Sequence, residues 1–583
     1  MMGERIQIET QGYHGQANPS VPPLFSRMFT RMTTGIGLLL VLVFFGLPII
    51  KLIVLSFVSH TGISLENYAI LFREGRTWTT IGNTLFLSIS STLLAIVLGV
   101  LTAWLVAYAN IRGKKLMHAM ILISFVIPSY VMTLSWTQFL AADGLMARML
   151  SFLTGEVVKP WNLYSYDGMI FMLGIHHYPL VYLLSLSGFR RIPRELEWAS
   201  RISGVGRWKT FFLVTLPLSV PGIVSGGLMA FLASLDNFGI PAFLGIPAHI
   251  SVLSTSIYEQ MTGFGPESIA RAAALSGVLG VFSLVATWIQ WLWLRRFKPI
   301  ESVREDYEPR FYFSNFKLAV EIVVWIVLLI LSFIPLLTMG FQSFLRAYGV
   351  PIRFENLTLA NYEFILFENT KVQHAILNSF VLAGASVMIC LVIGTGIAYL
   401  RVRKPNLVIR GVEMIVGLPY AIPGVVFALA MILAWMEPIP GWNPGIYGSM
   451  TILLLAYIGR FLILQVRGSM TAMMQVDQYV EEAAHISGAS RFYKWKKVLI
   501  PLMLPGILNG VLLVFLTALT ELTVSSILWS SGTETIGVVI FNFEQAGSTK
   551  YSTALSNLIV FVMVISAICY FSFNVRKRKE HKR

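Results

Sequence analysis

Few side chains in this 583-residue chain could do chemistry, and most of those lie in apolar surroundings. Asp236 and Glu521 stand at or near the outer ends of hydrophobic stretches, in the aligned strings Ala233-Ser234-Leu235-Asp236-Asn237-Phe238 and Thr517-Ala518-Leu519-Thr520-Glu521-Leu522. An ionisable group is costly there, which makes Asp236, Asn237, Thr520 and Glu521 candidates for a pathway or gate. Capping a helix or pairing across a domain interface is the structural alternative. Arg460, alone in an apolar stretch, is a further candidate to face a cavity. His176-His177 and His249 are expected in or near outer loops, and their spacing matches no metal site. Cys390 and Cys569 both fall in apolar runs and read as core residues, with neither a disulfide framework nor a thiolate pair. No convergent set of nucleophile, base and oxyanion donors appears, which disfavours an enzyme. The nearest string to a phosphate loop, Gly206-Arg207-Trp208-Lys209-Thr210, lacks the glycine before the lysine. Any work driven by ATP must therefore draw on another polypeptide.

A different chemistry, docking, is written twice. The block Glu481-Glu482-Ala483-Ala484-His485-Ile486-Ser487-Gly488, running on to Ile500-Pro501 and Pro505-Gly506, recurs in degraded form from Glu197 to Pro221-Gly222. In both copies Ser-Gly precedes a basic, aromatic stretch: Arg207, Trp208 and Lys209 in one, Arg491 to Lys497 in the other. Small residues at 483 and 484 allow close approach to a partner, Gly488 can take positive φ to end a helix, and Pro501 and Pro505 favour a fresh helix start. A cationic loop placed twice in a hydrophobic chain predicts two matching partner sites.

The elements that position these groups are membrane helices. With 56% hydrophobic and 13% charged residues, and a mean hydropathy of +0.71, the chain is no water-soluble globule. About twelve stretches reach the ~17–25 apolar residues that a spanning helix needs. They are expected near 36–58, 84–109, 119–140, 169–187, 211–236, 271–294, 318–343, 375–400, 409–435, 446–464, 498–528 and 553–574. Barrel strands would be shorter and would alternate. Most of the 44 Lys and Arg fall in the tails and loops of one face, including Arg112, Lys114, Lys115, Arg401, Arg403, Lys404 and the run from Arg576 to Arg583. That bias predicts both termini in the cytoplasm. A net charge of +15 spread over alternating loops forms no continuous groove, so no nucleic-acid partner is expected. The polar start, with Pro19, Pro22 and Pro23, lacks a signal-peptide core, and the first span reads as a permanent anchor.

The duplication extends beyond the loops. Asn83-Thr84 matches Asn378-Ser379, and Phe125-Val126-Ile127-Pro128 matches Tyr420-Ala421-Ile422-Pro423, with the extra length of the first half expected in 141–168, set against 436–448. Parallel repeats of this kind pack about an axis along the membrane normal, with a path between them.

Glu482-Ala483-Ala484, Gly488 and Val498-x-Ile500-Pro501 resemble the signature loop of ATP-binding-cassette importer permeases. Trp198-Ala199-Ser200, Gly204 and Val214-x-Leu216-Pro217 keep the spacing and lose the glutamate and second alanine. The resemblance, most like the fused ferric-iron branch, implies an all-α membrane protein of the type I importer fold. It would comprise a polar tail 1–35, a six-helix domain 36–294 with a coupling loop near 190–222, a linker 295–317, a second six-helix domain 318–574 with a loop near 467–506, and a basic tail 575–583. It implies that Glu197, Ala199, Gly204, Glu481, Glu482, Ala483, Ala484 and Gly488 belong to the coupling loops, with Ala199, Gly204, Glu482, Ala483 and Gly488 as docking residues. It also implies two cytoplasmic ATPase subunits carrying ATP and magnesium, an extracytoplasmic binding protein, and residence among lipid in a bacterial inner membrane. No cofactor is expected in this chain. Related fused permeases serve thiamine, aminoethylphosphonate or sugar phosphates, and polyamine systems share the loop. A proton-coupled secondary transporter is the alternative of another class, and would leave both loops unexplained. No carboxylate-tyrosine cluster within the spans demands a metal.

Overall fold

The computed structural model describes residues 37, 39–59, 62–142, 144–263, 266–296, 305–347, 349–350, 353–436 and 445–580. The expected tail 1–35, linker residues 297–304, loop residues 437–444 and residues 581–583 fall outside that set. The first half comprises α1 (Leu39–Ser56), α2 (Gly75–Tyr108), α3 (Lys114–Val126), α4 (Ser129–Phe139), α5 (Leu145–Thr154), α6 (Tyr166–Arg190), α7 (Arg194–Ile202), α8 (Arg207–Asp236), α9 (Leu253–Thr262) and α10 (Pro266–Arg296). The second comprises α11 (Lys317–Ser332), α12 (Ile334–Gln342), α13 (Thr370–Arg403), α14 (Leu407–Ala421), α15 (Gly424–Trp435), α16 (Met450–Met474), α17 (Gln478–Ile486), α18 (Phe492–Leu519), α19 (Ile536–Gln545) and α20 (Thr549–Glu580). Among the described residues nine helices are long and apolar enough to cross a membrane alone, and twelve spans result when three bent pairs each count as one.

Two of those bends are the first departure from the sequence reading, which drew 119–140 and 409–435 as unbroken. Helices α3 and α4 meet at 103°, and α14 and α15 at 110°. Proline fixes the break in each: Pro128 and Pro423 disfavour helix at the preceding residue, and Ile127 (ψ 133°) and Ile422 (ψ 142°) are extended. Every residue of α15 is buried, so the broken backbone faces protein and not lipid. The halves also interlock, with α12 packed on α4 and α15 packed on α1.

Other expectations shift at their edges. The span drawn to 528 ends at Leu519, and the one drawn over 446–464 runs from Met450 to Met474. His176 and His177 lie inside α6, 8% and 3% exposed, and not in an outer loop. Pro501 does not open a new helix, nor does Pro217. Here α8 and α18 continue through π turns at Phe211–Thr215 and Trp495–Leu499 directly before those prolines. The wider turn absorbs the register change that a missing N–H imposes. The connection 141–168 carries α5.

The repeat holds in atomic detail. Thr84 Oγ1 accepts from Leu253 N at 2.9 Å, and Ser379 Oγ accepts from Ile536 N at 2.9 Å. Asn83 donates to Ser251 O, and Asn378 to Gly532 O and Glu534 O. These bonds tie the start of α2 and of α13 to the loop after α8 and after α18. A Cβ on Gly226 of α8 would strike the Val181 backbone of α6, and one on Gly468 of α16 would crowd the Gly510 and Gly506 backbone of α18, so α8 and α18 approach their neighbours backbone to backbone.

Candidate functional site

Between the halves lies a cavity of about 470 Å³, walled by Ser129, Tyr130, Asp236 and Asn237 from one half and by Tyr420, Pro423, Arg460, Thr520 and Glu521 from the other. The broken helices build it, since Ser129 and Gly424 begin α4 and α15. All four sequence candidates reach this wall, but they do different things. Asn237 Oδ1 accepts from Ile240 N at 2.9 Å, and Glu521 Oε1 accepts from Val524 N at 2.6 Å, so these aligned residues both cap the turn that follows. Thr520 Oγ1 bonds back to Leu516 O within its own helix.

Asp236 crosses between the halves. Its Oδ2 accepts from Arg460 at 2.6 Å, and its Oδ1 accepts from Gly424 N at 2.5 Å, which places a carboxylate at the positive N-terminus of α15. Arg460 is 8% exposed and is attracted by both Asp236 and Glu521. Its Nη1 has no partner among the described residues. Gly424 is required here, because an added Cβ would collide with the Arg460 guanidinium. Arg460 was visible in the sequence as a lone cation in an apolar run, whereas its partnership with Asp236 was not. The sequence also gave no sign that Asp236, Glu521, Tyr130 and Tyr420 share one wall. Among the described residues no three His, Cys, Asp or Glu side chains form a metal-holding group.

The second region comprises the loop helices α7 and α17. Each ends at a glycine with positive φ, Gly204 at 84° and Gly488 at 77°, where an L side chain is strained. Ala199, Glu482 and Ala483 are exposed, as are Trp198, Ile202, Tyr479 and Ile486, and Ala484 is half-buried. Glu197 and Glu481 instead point inward and hold the helices to the spans. Glu481 is 7% exposed and is bonded by Arg403 at 2.5 Å and Lys494 at 3.1 Å. Burial pushes its carboxyl up, and the two cations more than reverse that, leaving it below the ordinary glutamate range.

Glu197 has a different clamp. It accepts from Thr215 Oγ1 at 2.7 Å and pairs at 3.1 Å with Arg310, a residue of the linker between the halves. Arg310 also donates to Ile192 O at 2.6 Å and lies 4.7 Å from the Tyr108 ring. Arg194 of α7 pairs with Asp306 of the same linker. Burial works against the Asp306 charge, yet Arg194, the Glu308 N–H and Arg310 hold its carboxyl down at about 2. Phe311 then packs against both Trp104 and Trp208, its ring centroid 5.4 and 5.1 Å from theirs, and those two rings stack on each other at 6.0 Å. Sequence reasoning missed the linker's part, because Arg310 lies in a polar stretch with no counterpart in the repeat.

Comparison with known proteins fits this architecture. The profile described as "Binding-protein-dependent transport system inner membrane component" matches residues 95–299 and again 390–577. The chain belongs to that family. It is a multi-pass ABC importer permease with a duplicated domain. A ferric transport system permease protein, FbpB, of Actinobacillus pleuropneumoniae is 24% identical over 541 residues, covering 92% of this chain and 76% of that protein. An Fe(3+)-transport system permease protein, FbpB 2, of Haemophilus influenzae is 22% identical over 90% of this chain and 96% of its own length. The molybdenum transport permease ModB of Escherichia coli is 28% identical over 222 residues, 37% of this chain and 93% of ModB.

Proposed function

We propose that this permease imports ferric iron, with both termini in the cytoplasm, two copies of an ABC ATPase subunit docked on α7 and α17, and an extracytoplasmic binding protein delivering the cargo on the opposite face. ATP and magnesium belong to the ATPase. The observation that carries the reading is a cavity between homologous halves, bridged by an Asp236–Arg460 contact, in a chain whose two loop helices expose small residues. The relatives named for ferric transport over most of the chain support iron as cargo. Hard oxygen donors on the cavity wall suit transit of a hard cation.

The mechanism is alternating access. Closure of the ATPase pair moves α7 and α17 together, and the rigid α8 and α18 carry that motion into the halves. The Asp236–Arg460 pair must part as the halves separate, because each contributes one partner. Arg460 is buried but the Asp236 side chain is 32% exposed to the cavity, so the carboxylate can be solvated as the pair parts and the cost of release stays below the ~3–5 kcal/mol of losing one partner of a fully buried pair.

The test reconstitutes the permease with its ATPase and binding protein in liposomes and follows ATP-dependent uptake of radioactive iron. Uptake that needs ATP and all three components supports the reading. Proton-driven uptake by the permease alone would overturn the importer, and uptake of another cargo with iron excluded would overturn the substrate. Gly424→Ala should displace Arg460 and raise ATP hydrolysis in the absence of binding protein about 3- to 10-fold, for a loss of ~0.7–1.4 kcal/mol of latch energy.

A further inference from the structure

The face opposite the loop helices holds a second cavity, of about 430 Å³, that the pathway does not use. It opens where the long first-half connection at 141–164 meets Gln342, Leu345, Ala347, Gly349 and Val350 of the second half, with Lys550 at its edge. Its volume is that of a small-molecule site. Three cations line it, Arg148, Lys159 and Lys550, and the described lining contains no Asp or Glu. Asp143, in the same connection, lies outside the described residues.

Arg148 and Lys550 are half-buried, and none of the three cations makes an ion pair among the described residues. Like charges around one concavity repel and focus a positive potential into it, a cost that a bound anion relieves. Neutral donors are also at hand. Asn162 holds Tyr164 N through Oδ1 at 3.0 Å, and its NH2 has no partner among the described residues. Gln342 reaches Gln138 O at 3.4 Å, while its own carboxamide oxygen is buried without a partner among the described residues. Trp161 adds an aromatic wall, fixed edge-on against Phe171 at 5.1 Å.

We propose that this cavity binds a small, multiply charged oxygen anion of the carboxylate or phosphate class. The site lies apart from the central pathway and does not depend on the cargo. The chemistry is charge-assisted hydrogen bonding, with Arg148 as the bidentate partner and the two lysines as point charges.

The test uses the full chain in phosphatidylcholine nanodiscs and titrates citrate and pyrophosphate calorimetrically. Saturable binding of at least one is expected, weakened about ten-fold by Arg148→Gln and lost in the Arg148→Gln, Lys159→Gln, Lys550→Gln triple variant. Lys371→Gln, at an exposed cation on the same face outside the cavity, should leave the affinity unchanged. All variants should keep the parental melting temperature to within a few degrees, since the three side chains make no ion pair among the described residues and only Lys550 makes a cation–π contact, 4.7 Å from the Tyr551 ring. Failure of both anions to bind, or equal affinity in the triple variant, would overturn the proposal. Repeating the titration with phosphatidylglycerol in the disc separates the sources. Competition assigns the occupant to a lipid headgroup, and undiminished binding assigns it to a soluble anion.

Discussion

The two loop helices are held through matching acceptors by cations that come from different parts of the chain. In the second half Arg403, the last residue of α13, bonds Glu481 and the Val476 carbonyl. In the first half Arg310 bonds Glu197 and the Ile192 carbonyl, and these acceptors occupy the same places in the repeat. The residue that corresponds to Arg403 is Tyr108, the last residue of α2, and its hydroxyl accepts from Arg310 at 3.3 Å. The clamp therefore has one geometry in both halves, its guanidinium supplied by α13 in one and by the linker in the other. It follows that the linker is a working part of the first half and not a tether between two finished domains. The aromatic contact beneath each clamp shows the same relation: Tyr399 packs on Trp495 in the second half, and Trp104 packs on Phe211 in the first, where Phe311 is added.

The largest effect should come from removing either guanidinium. Both pairs are largely buried, with side chains 9–14% exposed, so Arg310→Ala or Arg403→Ala leaves a carboxylate without its main partner at a cost of about 3–5 kcal/mol. Transport should fall by at least about ten-fold in each, with ATP hydrolysis by the separate ATPase retained. Arg310→Ala alone should also free the linker, seen as faster hydrogen exchange at Phe311, whose N–H bonds to Tyr108 O. If Arg403→Ala freed the linker equally, the distinction between the two clamps would fail.

A smaller and symmetrical effect is expected at the helix ends. Gly204→Val and Gly488→Val each force a branched residue into the left-handed region at roughly 1–2 kcal/mol, with open space around the added atoms. Coupling should drop by a similar factor in both, while membrane insertion is unchanged. A loss confined to one half, measured as uptake per ATP hydrolysed, would show that the helices contribute unequally for reasons outside the clamps.

The smallest effect is a pH dependence of linker ordering, which only the first half can show. Folding lowers the Asp306 pKa from its ordinary 3.8 to about 2, so its contribution is present above about pH 4 and is lost as pH falls towards 2. Hydrogen exchange at Phe311, corrected for intrinsic rates, should rise across that window, and Asp306→Asn should remove the dependence. Glu481 is also lowered, so the second clamp weakens in acid as well, without loosening the linker.

Much of this architecture could be read from the residues, and the omissions share a cause. Hydrophobic length located the spans, and the doubled Asn83-Thr84 and Asn378-Ser379 strings announced bonds that the fold makes twice. Gly204 and Gly488 were legible because positive φ after a short helix is a local property. The breaks at Pro128 and Pro423 carried a local signal as well, the extended bias before proline, which the continuous apolar run concealed. What stayed hidden was pairing at long range. Asp236 meets Arg460 across 224 positions, and Arg310 meets Ile192 across 118, and no periodicity reports such contacts. The inward direction of Glu197 and Glu481 was hidden for the same reason, since their partners lie on other elements.

Moving the arginine to the end of α2 tests this equivalence of the two clamps most directly. In the Arg310→Ala background, Tyr108→Arg places a guanidinium at the position that Arg403 occupies in the other half. The account predicts that ATP-dependent uptake recovers to within about three-fold of the parent, a residual of under ~1 kcal/mol, while the linker stays free in hydrogen exchange. Uptake that remains at the Arg310→Ala level would contradict it, and would mean that the first half needs the linker itself and not the cation it supplies.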